Sequence, residues 1–175
     1  MEYKDLNITI YGIRGLYEGL QAYAQADQDA LEAIVDQLEK DRLSASMMTT
    51  DEGGRSCGRN SNQRPNSLEV NRVHVMEMEL RAMLADLEQQ DEKAADWFLQ
   101  ATELQANLSF TSGPPYIVYP SWELYGQWLL QHKRPAEAKV QFERSLQYGP
   151  ERLIALEGLS GVEEAMSEKA EISQR

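Results

Sequence analysis

Hydrophobic positions along the chain recur with the period of a helix, and they come in paired runs. No proline occurs between residues 9 and 40, and Ile10, Ile13, Leu16, Tyr17, Leu20 and Tyr23 mark one apolar stripe. After a polar interval at 25–29, Ala30, Leu31, Ile34, Val35 and Leu38 mark a second. Steps of three and four residues place each set on one side of a helix, so 9–42 reads as two antiparallel helices joined by a short turn. Either Asp27 or Asp29 can cap the second helix, its carboxylate accepting an orphan backbone N–H.

The period fails over 43–67. Residues 49–66 hold three glycines and almost nothing to bury, which reads as a flexible polar loop. A loop this long is uncommon inside a domain and is either functional or a tolerated insertion. The helical period returns at 68–89, with Met76, Leu80, Met83, Leu84 and Leu87 on its apolar side, and again at 92–107. Residues 68–107 are therefore a second hairpin. Pro114, Pro115 and Pro120 make 108–120 an extended connection, because proline is excluded from helix interiors. Ser121 suits an N-cap, Pro135 suits the start of the next helix, and Gly149-Pro150 suits its end. A third hairpin thus covers 121–149. A final helix is expected over 151–167, with Leu156, Leu159 and Ser160 covering the last hairpin, and 168–175 is expected to fray.

Internal spacing says more than any single element. Twelve residues separate Gly126 from Ala138, and twelve separate Ala82 from Ala94. Ala138, Phe142 and Ser145 then repeat the spacing of Ala94, Phe98 and Ala101, and Pro150 closes the later unit. In the first hairpin either Gly19 and Leu31 or Glu18 and Ala30 preserve the same interval. Together with Trp122 and Leu129, these small and bulky positions resemble the tetratricopeptide repeat. The two later units lie 44 residues apart where about 34 is usual, the proline-rich connection taking up the difference. Residues 113–126, Arg134-Pro135-Ala136-Glu137-Ala138 and Phe142-Glu143-Arg144-Ser145-Leu146 are similar to the C-terminal part of bacterial tetratricopeptide-repeat proteins, most of which have no assigned activity. The likeness covers about 9–166 outside the 44–66 loop. It implies an all-α fold: a right-handed α–α superhelix of about three hairpins with a capping helix, in one domain. It also implies either a short member of the group or the C-terminal piece of a longer chain.

Such repeats present the first helices of their pairs on a concave face, where a partner binds. On this chain those positions are Leu16, Leu20 and Tyr23, then Glu79, Met83 and Asp86, then Glu123, Gln127 and Leu130, with Glu157 on the last helix. Glu79, Glu123 and Glu157 occupy equivalent places, so a line of carboxylates is expected. Repeat domains that clamp a C-terminal carboxylate carry Lys, Arg and Asn there, so this groove suits a peptide or helix with basic and apolar residues instead. For Glu123, in the first turn of its helix, the helix dipole offers a plainer reason.

The balance of 29 acidic against 17 basic residues, a net charge of -12, disfavours nucleic acid and anionic membrane as partners. One cysteine, Cys57, excludes an internal disulfide. No long apolar run or basic-then-apolar leader is visible, so the expectation is a cytoplasmic protein. Enzyme chemistry has little to stand on. His74 and His132 lie at helix ends outside any metal-ligand spacing, Cys57 sits in a polar loop beside Arg55 and Arg59, and no phosphate-cradling loop occurs. The expectation is a non-catalytic interaction module without cofactor or metal. Two alternatives remain open. One is a homo-oligomer formed by joining open ends of the stack; the other is a small-molecule binder or enzyme using Tyr116, Tyr119 and Trp128.

Overall fold

The structure, a computed structural model, describes residues 8–49, 65–108 and 119–173, with side chains through Glu168. All regular structure among the described residues is helical: α1 (Ile8–Ala24), α2 (Gln28–Met48), α3 (Ser67–Leu87), α4 (Asp91–Ala106), α5 (Ser121–Gln131), α6 (Pro135–Tyr148) and α7 (Leu153–Ser173). The chain forms two compact units, Met1–Val118 and Tyr119–Arg175. The all-α expectation holds. The two largest boundary differences from the sequence reading are that 43–48 continue α2 instead of starting the loop, and that the helix expected to fray from 168 runs to Ser173. Residues 50–64, which include Cys57, Arg55 and Arg59, and most of the 108–120 connection lie outside the described residues.

In the N-terminal unit α3 is the central helix, packed by α1, α2 and α4. Covered on three sides, it buries almost every residue from Val73 to Met83. Gly19 lets α1 come close: a Cβ there would lie 2.5 Å from Leu80 Cδ2. On the far side of α3, Val75 and Met78 pack with Ala101 of α4, flanked by Trp97 and Leu104. Asp27 caps α2, its Oδ1 accepting from the Ala30 N–H at 3.0 Å. Asn66 and Glu69 close a reciprocal capping box at the start of α3.

In the C-terminal unit α6 lies between α5 and α7, which also touch each other. The Phe142 ring is fully buried and seated against two glycines, Gly126 of α5 and Gly158 of α7. The inward side of α7 is Ala155, Gly158 and Val162, with Leu159 half-buried; Leu156 and Ser160, expected to cover the last hairpin, are exposed. Ser121 is the first helical residue of α5 rather than its cap, which is Pro120.

All three hairpins turn in the same way. Ala26, Gln89 and Lys133 have φ of 53°, 59° and 60°. Each donates to a carbonyl three residues back, and the next residue donates five back: Asp27 to Ala22, Gln90 to Ala85 and Arg134 to Leu129, each at 2.9 Å. This is the Schellman ending of a helix, here without the usual glycine. The left-handed residue follows Gly19, Ala82 and Gly126 by seven positions and precedes Leu31, Ala94 and Ala138 by five. The turn therefore selects the Gly19–Leu31 register over Glu18–Ala30.

An L-residue held left-handed carries a steric cost that glycine avoids. Ala26→Gly, Gln89→Gly and Lys133→Gly are each expected to stabilise the protein by about 0.5–1 kcal/mol. A higher urea midpoint at unchanged slope would show it. A lower midpoint would mean that the turn side chains contribute more than the strain they impose.

Candidate interaction surfaces

The ten groove positions fall into three groups once burial is known. Leu16, Glu79, Met83 and Glu123 are buried; Leu20, Tyr23, Asp86 and Leu130 are half-buried; Gln127 and Glu157 are exposed. A line of carboxylates open to a partner is therefore not present, because Glu79 and Glu123 are both 0% exposed. For Glu79 the reason is topological, since a helix wrapped on three sides keeps little free face.

Glu123 is engaged inside its own unit. Arg152, at the approach to α7, donates to Glu123 through Nε and through Nη2, the latter at 2.8 Å. Ser145 of α6 donates its hydroxyl to the same carboxylate at 2.9 Å. One side chain of α5 thus ties together α6 and the start of α7. Trp122, next in sequence, stacks on Tyr148 with ring centroids 4.5 Å apart.

A comparable cluster lies in the N-terminal unit. Glu77, 2% exposed, receives Arg42 Nε from α2 at 2.6 Å and Arg81 Nε from its own helix at 2.9 Å. Arg81 also reaches Glu39 at 3.0 Å, and its guanidinium carbon lies 5.4 Å from the Trp97 ring centroid on α4. The buried carboxylate joins α2 to α3, and Arg81 extends the cluster to α4. His74 stands beside this group; partial burial, and after it the Arg42 guanidinium, hold its imidazole below the usual histidine range despite the opposing pull of Glu77.

Of the ten, Tyr23 and Asp86 are brought into contact: the phenol donates to Asp86 Oδ2, linking α1 to α3. Burial and this carboxylate push the phenol well above the ordinary tyrosine range, so it stays protonated. In the other unit Leu130 approaches α7 near Gly161, where an added Cβ would lie 3.5 Å from Leu130 Cδ1. His132 closes α5, donating from Nδ1 to the Trp128 carbonyl at 2.9 Å and stacking on the Trp128 indole. Trp128 is itself buried, beside Tyr125 and Arg134. Its suggested companion Tyr116 lies outside the described residues.

No family model, curated protein or solved structure matches this chain. None of the described helices is long and apolar enough to cross a membrane.

Arg152, Arg42 and Arg81 are the residues that sequence reasoning missed. Arg152 is 29 positions from Glu123 and Arg42 is 35 from Glu77, so no helical spacing links either pair. Leu153, exposed on α7, was also passed over, and Leu156, expected to cover the last hairpin, is exposed as well.

Proposed function

We propose that the chain is a non-catalytic protein-binding scaffold of tetratricopeptide-like hairpins, stacked as a right-handed α–α superhelix and closed by α7. The observation that carries this reading is the threefold recurrence of one hairpin design. The same left-handed turn falls at the same place within the same twelve-residue interval. Repeats of this kind offer side chains on the first helices of their pairs to a peptide or helix. The accessible members here are Leu20, Tyr23 and Asp86 in one unit and Gln127, Leu130 and Glu157 in the other. Mixed apolar and acidic character favours a basic, apolar segment as ligand.

The test is binding of the full chain to a peptide array varied in charge and apolar content, repeated with Gln127→Lys and Glu157→Lys. Both side chains are exposed, so the fold is not at stake. Selective capture of basic-apolar peptides, weakened about tenfold or more by the two substitutions, is expected. Binding indifferent to them would place the partner elsewhere.

A further inference from the structure

We infer that the outward face of α7 is a docking surface for a basic amphipathic helix of another protein. This goes beyond the first-helix faces proposed above and shares one residue with them, Glu157. Ala155, Gly158 and Val162 face inward. Opposite them, Leu153, Leu156, Glu157, Glu163, Glu164 and Glu168 fall within an arc of about 140°. All six are exposed. Leu153 and Leu156 remain 66% and 47% exposed in the folded protein and lie one helical turn apart beside the glutamates.

The charge on this face has one sign. Residues 153–168 contain four glutamates and no lysine or arginine. A second copy would bring carboxylates against carboxylates, and nucleic acid or an anionic bilayer would be repelled in the same way. Lysines and arginines flanking a leucine stripe are what the surface complements. The ligand is a helix rather than an added strand, because the α7 backbone is hydrogen-bonded within itself and offers no edge to pair with. Its leucines and carboxylates recur at helical steps over about 22 Å, which a second helix matches by packing its own ridge alongside.

The test uses the full chain and a synthetic leucine–lysine amphipathic helix as probe, followed by fluorescence anisotropy. Glu163→Lys with Glu164→Lys, and separately Leu153→Ser with Leu156→Ser, are each expected to raise the Kd at least about tenfold. Lysine suits the C-terminal half of α7, so the charge variant keeps its helix. Glu32→Lys with Asp36→Lys, exposed positions on α2, makes the same change in net charge and is expected to leave binding within about twofold. Three results would overturn the inference. The α2 pair could weaken binding as much as the α7 pair, a leucine–glutamate helix could bind equally well, or the leucine substitutions could abolish a concentration-dependent dimer and show a second copy as the occupant. Glu157 belongs to both faces, so Gln127→Lys alone is the separating variant: it is expected to weaken first-helix binding while leaving binding of the α7 probe within about twofold.

Discussion

Phe142→Ala is expected to destabilise the C-terminal unit by about 3–5 kcal/mol, the usual cost of removing a fully buried ring. The cost should lie at the upper end because the ring's neighbours cannot follow it. Its ring meets Gly126 and Gly158, which have no side chains to move into the space. The reverse change isolates the same contact. A Cβ added at Gly126 would lie 2.7 Å from Phe142 Cε1, too close without a shift of the ring or of α5. In an ordinary helix interior Gly→Ala stabilises by about 1 kcal/mol. Here Gly126→Ala is expected to destabilise by about 1–2 kcal/mol. Adding Phe142→Leu should relieve the overlap, so the two changes together should cost less than their sum by at least about 0.5 kcal/mol. Urea unfolding of the four proteins gives the cycle. Additivity within error would show that the glycine does not serve the ring.

That contact was half legible in the sequence. The twelve-residue interval named Gly126 and Phe142 as members of one repeat, because close helix packing demands a small residue opposite a large one. Gly158 was missed, because the spacing of the last helix was read through Leu156, Leu159 and Ser160 instead. The hairpin turns show a different limit. Each helix ends on a left-handed residue, but Ala26, Gln89 and Lys133 stand where glycine is the customary signal. The polar stretches marked that a turn existed; only the backbone showed that all three turns are alike.

The candidate site was less legible than the fold. Helical periodicity assigns residues to faces, but it does not say how many faces a neighbour will cover. α3 has α1, α2 and α4 around it, and so Glu79 and Met83 are buried where one open face was expected. The positions that remained accessible, such as Gln127 and Glu157, lie on helices with fewer neighbours in their own unit. Buried ion pairs compound the difficulty. A glutamate among apolar residues reads as a surface group unless its arginine is known, and neither Arg152 nor Arg42 lies at a spacing that reveals it. Charge reversal at Glu123 is therefore expected to destabilise the C-terminal unit, which a binding assay would register as lost binding.

The same point supplies the strongest test of what Glu123 does. Arg152→Ala would leave a fully buried carboxylate with the Ser145 hydroxyl as its remaining partner in that cluster. Removing one member of a buried pair costs about 3–5 kcal/mol, and the lower value applies because Arg152 is 27% exposed, so water can enter where it stood. Tryptophan fluorescence during urea unfolding is a suitable readout, since Trp122 neighbours Glu123 and stacks on Tyr148. Removing both charges should hurt far less. Glu123→Met with Arg152→Met replaces two desolvated ions by packed side chains and is expected to fall within about 1 kcal/mol of the parent protein or above it. Lys139→Ala is the control, breaking an exposed pair with Glu143 that contributes about 0–1 kcal/mol. If Arg152→Ala costs no more than this control, the internal clamp is not holding α5 to the start of α7.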